Sequence, residues 1–127
     1  MSAILDYLRR LGAVTDRMNS RVFMVPGRNG RPRPLRAGGR KGMSDIIACL
    51  PPSGRYLAIE VKSPQELRGG WEALIGRATR NPRSSRAKTL LAQHLFLKGV
   101  RSVGGVGLFA CSVEEVRQAL LVAGEKC

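Results

Sequence analysis

Acidic residues are scarce in this chain. Nine Asp and Glu stand against 22 Lys and Arg in 127 residues, a formal net charge of +13. Aromatics are scarcer still at 5%, which argues against a protein that grips single strands mainly by base stacking. No run of 18 apolar residues exists, so nothing in the sequence reads as a membrane span. The three cysteines, Cys49, Cys111 and Cys127, are odd in number and far apart. They fit a reducing cytoplasm rather than a disulfide framework or a zinc site. One histidine and no H-E-x-x-H exclude a zinc hydrolase, and the absence of a G-K-[ST] loop argues against ATP use. The N-terminus MSAILDYLRRLG has neither a basic region before its apolar residues nor a small-residue cleavage site, so it does not read as a secretory signal.

What remains is a chain 43% hydrophobic, close to the globular norm, with room for one domain and one core. Its positive charge is segregated. Between Asp16 and Asp45 there is no acid, against Arg17, Arg21, Arg28, Arg31, Arg33, Arg36, Arg40 and Lys41. Between Glu72 and Glu114 there is again none, against Arg77, Arg80, Arg83, Arg86, Lys88, Lys98 and Arg101. Such tracts attract polyanions, and the dominance of Arg over Lys suits bidentate phosphate contacts. A solubilising surface does not need two acid-free tracts, and no strongly amphipathic basic helix carries the charge to a membrane. Arg28, Arg31, Arg33, Arg36, Arg40, Lys41, Arg83, Arg86 and Lys88 are the candidate nucleic-acid contacts.

The periodicities predict a helix over 3–11, with Ile4, Leu5, Leu8 and Leu11 on one stripe and Gly12 as its stop, and a short strand over 21–25. Residues 26–42, dense in Gly and Pro, predict a mobile basic loop or a loose hairpin. Residues 45–50 and 55–62 read as a hairpin across Pro51–Gly54. The stretch 63–86 reads as a partly ordered insertion with a helical turn around Trp71–Ala78. A helix over 87–98 stopped by Gly99, a strand over 105–111, and a Ser112–Glu115 capping box opening a helix over 113–123 complete the chain. The order α-β-(loop)-β-β-α-β-α implies an α/β fold, a small mixed sheet flanked by helices.

Two of the nine acids lie inside apolar strands, Asp45 before IIACL and Glu60 within YLAIEVK. A buried carboxylate without a partner costs several kcal/mol, so something must satisfy each. Strand alternation puts Glu60 and Lys62 on one face and Ile59 and Val61 on the other. If 45–50 pairs with 55–62, opposed positions come within ~5 Å and Asp45 joins that face. Two carboxylates are hard ligands for Mg²⁺ or Mn²⁺, and a nearby ammonium can orient a water or offset transition-state charge. A structural Glu60–Lys62 ion pair on a strand face is the plain alternative.

The segment KGMSDIIACLPPSGRYLAIEVKSP resembles the virus-type replication-repair nuclease (VRR-NUC) domain, a branch of the PD-(D/E)xK nuclease superfamily. The pieces that carry the resemblance are Gly42-Met43-Ser44-Asp45, Ile59-Glu60-Val61-Lys62, Gln93, Gly104-Gly105 and Ser112-Val113-Glu114-Glu115, spanning about Arg21 to Val122. The resemblance implies a restriction-endonuclease-like core and metal-dependent cleavage of DNA. It makes Asp45, Glu60 and the backbone carbonyl of Val61 the ligands of Mg²⁺ or Mn²⁺, with Lys62 positioning or activating the attacking water and Gln93 projecting toward the same site. It asks nothing of His94, which reads as a helix residue rather than a general base.

Two features depart from the family pattern. The Glu usual on the first helix is absent, with only Asp6 there, either a weak substitute or, as it reads, a plain surface acid. The segment between Lys62 and Gln93 is long, making 65–86 an insertion that contacts DNA, covers the site or is a disordered excursion. Stand-alone members resemble Holliday-junction resolvases, and a two-fold dimer matches the two scissile positions of a four-way junction. A homodimer acting on branched DNA is the expectation. The alternatives are a non-catalytic basic DNA-binding protein and a nuclease directed at flaps or ends.

Overall fold

The computed structural model describes residues 1–18, 22–36 and 44–125. Helix α1 spans Ser2–Arg10 and leads into strand β1, Val14–Arg17. Strands β2, Val22–Pro26, and β3, Pro32–Arg36, form a hairpin around a 3₁₀ turn at Arg28–Gly30. Strands β4, Ile46–Leu50, and β5, Arg55–Val61, follow, then helices α2, Trp71–Arg80, and α3, Ser85–Ser102, then strand β6, Val106–Ala110, and helix α4, Val113–Val122.

The main sheet has the order β1-β4-β5-β6. β1 and β5 both run antiparallel to β4, whereas β6 runs parallel to β5. The sheet is therefore mixed. The parallel pair needs a long crossover, and α2 and α3 supply it.

Alternation along β4 and β5 sorts the core into two clusters. Ile46, Ala48, Leu50, Leu57 and Ile59 meet Leu8 of α1 and Val116 and Leu120 of α4 on one face. Ala58 and Phe109 meet Leu74 and Ala78 of α2 and Leu90 and Leu97 of α3 on the other. Helices thus cover both faces. The core expected as one mass is divided by the sheet.

Four expectations change. β1 falls where no strand is predicted: VTDR has no apolar run, and Val14 is 74% exposed. It forms because the free edge of β4 offers unpaired backbone groups, and its charged residues suit an edge strand. The segment 63–86 is not a partly ordered excursion. Leu67, Leu74 and Ala78 are buried in the core, and Ser63 and Glu66 cap the turn after β5 reciprocally, Ser63 Oγ accepting from the Glu66 amide and Glu66 Oε1 from the Ser63 amide.

Helix α3 starts earlier and ends later than predicted. Ser84 caps it by accepting from the Ala87 amide, and it continues through Gly99 to Ser102. The true stop is Gly104 at φ +93°, where the Gly104 amide bonds the Arg101 carbonyl and the Gly105 amide the Val100 carbonyl. That is the left-handed glycine termination; Gly99 lacks such bonds and stays helical. At α4, Ser112 Oγ accepts from the Glu115 amide as predicted, but the Glu115 carboxylate reaches back to the amide of Cys111 rather than of Ser112.

Gly107 has a specific reason. A Cβ there would stand 2.8 Å from the Leu97 carbonyl oxygen, so glycine lets α3 lie directly on β6.

Candidate functional site

The ladder between β4 and β5 fixes the first geometric fact. Ile46 opposes Ile59, so Asp45 and Glu60 stand one step beyond the last ladder pair. Ile46 and Ile59 both face the α1–α4 cluster; alternation then turns Asp45 and Glu60 together toward the α2–α3 face. Asp45 Oδ2 accepts the amide of Val61 at 2.9 Å, which ties the end of β4 across to β5. The Lys62 amide, just past β5, donates to the Ala110 carbonyl at the end of β6. The site therefore lies at the carboxyl ends of the parallel pair, the usual binding edge of α/β sheets.

Glu60 is only 3% exposed. Its Oε1 accepts from Gln93 Nε2 at 2.8 Å and lies 3.8 Å from Lys62 Nζ. Its Oε2 has no hydrogen-bond partner, and neither does Gln93 Oε1 or the buried Ser44 Oγ. Burial, and next the charge of Asp45, push the Glu60 carboxyl up to about 8, against a smaller downward pull from Lys62. The cause is physical: two carboxyls share a water-poor site, and one ammonium does not offset both.

The structure thus brings Asp45, Glu60, Val61, Lys62 and Gln93 together. Buried carboxylate and amide oxygens without donors, beside a second carboxylate, form a donor set suited to a hard divalent cation. Glu60 and Asp45 supply two carboxylates for the ligand set that the resemblance implies, and Val61 is held beside them by its amide bond to Asp45. Among the described residues no group of three or more His, Cys, Asp or Glu converges, so protein donors beyond this pair would have to be backbone or amide oxygens. Asp6 lies exposed on α1, 3.9 Å from Arg9.

The predicted nucleic-acid contacts fall in two places. Arg28, Arg31 and Arg33 are exposed on the β2–β3 hairpin, and Arg36 closes β3. Arg83, Arg86 and Lys88 are exposed around the start of α3. Arg40 and Lys41 lie outside the described residues, as do Gly42 and Met43. Arg86 pairs with Glu66 at 3.3 Å and borders a cavity shared with Lys62. None of these arginines is joined to the Asp45–Glu60 pair by any described contact.

His94 adjoins Gln93 but, one residue along the helix, turns about 100° away. Its ring stacks on Trp71 with centroids 5.8 Å apart, and Arg101 lies 5.8 Å from the Trp71 ring. Burial first, then Arg101 and Lys98, hold its pKa down. It is a packing residue.

Sequence reasoning missed Glu66. It braces the chain just after Lys62 and holds Arg86, and its S-x-x-E spacing from Ser63 is the same signal read at Ser112–Glu115. Ser44 was noted only as part of the Gly-x-Ser-Asp motif. Its burial shows in no local pattern.

Comparisons with protein-family models, with curated proteins and with solved structures find no match for this chain.

Proposed function

We propose that this chain is a Mg²⁺- or Mn²⁺-dependent nuclease that hydrolyses phosphodiester bonds in DNA, built on a restriction-endonuclease-like core of the VRR-NUC kind. One observation carries the reading. In a chain of net charge +13, two of the nine acids are crowded on one sheet face, at a buried position, beside a lysine and an amide. Burying like charges together is costly, and an ion or a proton must offset it. A phosphodiester-cleaving site gives that cost a use.

The contacts support the roles that the resemblance implies. Asp45, pinned by the Val61 amide, and Glu60, pinned by Gln93, hold their carboxylates in fixed orientation. With the Val61 carbonyl they would hold the cation. When bound, a divalent ion supplies Lewis acidity toward a phosphate oxygen and lowers the pKa of a coordinated water. Lys62 keeps its ammonium beside Glu60. There it orients the attacking water and offsets negative charge growing on the phosphorane oxygens. The basic tracts hold the flanking phosphates through exposed guanidinium groups.

Branched DNA is the proposed substrate and a homodimer the proposed assembly, on the argument that a two-fold dimer matches two symmetric scissile positions. The decisive experiment incubates the protein with junction, flap, linear duplex and single-stranded DNA, with Mg²⁺, with Mn²⁺ and with EDTA. Cleavage that requires the metal and disappears in Lys62→Ala, while DNA binding persists, supports the reading. Metal-independent binding without any strand scission on all four substrates overturns it in favour of a non-catalytic DNA-binding protein.

A further inference from the structure

The surface beside Lys62 is a built cleft. Lys62 borders a cavity of about 310 Å³ that includes Arg86 and Thr89 on the first turns of α3. A larger cavity of about 480 Å³ lies between the turn at 65–68, α2 and the start of α3. The two adjoin, since Glu66, Arg86 and Leu90 border both. Their combined lining holds four cations, Lys62, Arg68, Arg77 and Arg86, against one carboxylate, Glu66. That carboxylate is already engaged. Oε1 accepts the Ser63 amide, and Oε2 lies 3.3 Å from Arg86.

The floor is of the opposite character. Leu74 and Ala78 from α2, and Ala87 and Leu90 from α3, are buried members of the core that also line this cleft. Arg77 is held in the wall, donating to the Glu66 carbonyl at 2.9 Å and the Arg68 carbonyl at 3.5 Å. Arg68 and Arg86 stand exposed at the rim. A cationic rim over an apolar floor of this volume matches a molecule that is anionic at one end and apolar at the other.

We propose that this cleft between α2 and α3 is a nucleotide subsite that seats an unpaired nucleotide of the nucleic-acid strand engaged at Asp45 and Glu60. Its phosphate lies on Arg68 and Arg86, and its sugar and base rest on the apolar floor. The placement of that strand rests on the nuclease reading; the binding itself does not. A base-paired nucleotide is locked in its stack and presents its phosphate, but not the face of its base, to such a floor. At a branch point stacking is interrupted and a nucleotide can leave its pair, so the segment 65–86 is the element that favours strands opened beside the cleaved bond. Arg68 and Arg86 are binding residues; neither touches Asp45 or Glu60 in any described contact.

The test is equilibrium binding of a short oligothymidylate and of a blunt duplex with the same number of phosphates, in EDTA, over a range of salt. The variants are Arg68→Gln, Arg86→Gln, the double variant, and Arg10→Gln, at an exposed position of α1, as a charge-matched control. The Arg86 side chain is 71% exposed, and Glu66 keeps its bond to the Ser63 amide without it, so the loss of this ion pair leaves the fold intact. For the oligothymidylate, each cleft substitution weakens affinity about three- to tenfold. Each also flattens the slope of log K against log salt by about 0.7, the value for one phosphate on a single strand. The duplex and the Arg10→Gln control show no matching loss.

Equal weakening of single strand and duplex, or a double variant no worse than Arg10→Gln, overturns the subsite. Cleavage is scored separately with Mg²⁺. Cleft-dependent binding by a protein that never cuts sinks the nuclease reading and keeps the subsite. Cutting by a double variant that binds oligothymidylate like wild type does the reverse.

Discussion

Glu60→Gln offers a quantitative test of the crowded carboxylates without any substrate. The substitution keeps the shape of the side chain and an oxygen to accept from Gln93, and replaces the ionisable oxygen by an amide nitrogen that does not titrate. Burial, and next the charge of Asp45, push the Glu60 carboxyl up to about 8 from the ordinary 4.5. The folded pKa is raised, so the native state keeps a proton that the unfolded chain has lost. The associated stability is fully present below about pH 4.5. It falls by about 1.4 kcal/mol for each pH unit above that, until it is lost as pH passes 8. Over the whole window this amounts to several kcal/mol.

Glu60→Gln has no such slope. Urea unfolding in EDTA at intervals from about pH 5 to 8.5 should therefore show the variant gaining on the wild type as pH rises, by several kcal/mol at the alkaline end. His94, whose pKa is held down, pulls stability the other way between acid and neutral pH. It is present in both proteins and cancels in the difference. Mg²⁺ or Mn²⁺ added at pH 8 should restore wild-type stability and leave the variant unmoved. Parallel pH profiles for the two proteins would refute the raised carboxyl that burial and the neighbouring Asp45 together produce, and with it the case for a cation between Asp45 and Glu60.

Asp45→Asn should lose divalent-ion stabilisation and DNA cleavage together, read by thermal shift with Mn²⁺ and by a nicking assay. Retained cleavage would remove Asp45 from the ligand set. Gly107→Ala forces a Cβ to 2.8 Å from the Leu97 carbonyl oxygen and should destabilise by about 1–3 kcal/mol in urea titration. Ser84→Ala removes the cap at the Ala87 amide and should lower stability by about 1 kcal/mol. A loss within error would mean that the start of α3 is held by packing alone. Affinity of the whole protein for duplex DNA should fall steeply with salt, with a slope near −0.9 for each phosphate neutralised. A slope near zero would deny the basic tracts any role in binding.

The elements with strong local signals were legible in the sequence alone: the apolar stripe of α1 and its Gly12 stop, the β4–β5 hairpin, the Ser112 cap of α4, and the anomaly of Asp45 and Glu60 in apolar strands. Each is written in residues a few positions apart, within reach of helical or strand periodicity. Tertiary structure decided the rest. VTDR became β1 only because β4 had a free edge, and α3 ran past Gly99 because the termination bonds form at Gly104. The polar, Gly-bounded segment 63–86 became a packed layer because the parallel pairing of β5 with β6 left a sheet face to cover. That Glu60 is buried, held by Gln93 from 33 residues away, and short of a partner on Oε2 also follows from packing. Desolvation and long-range pairing depend on what closes over a side chain, and no local pattern encodes that.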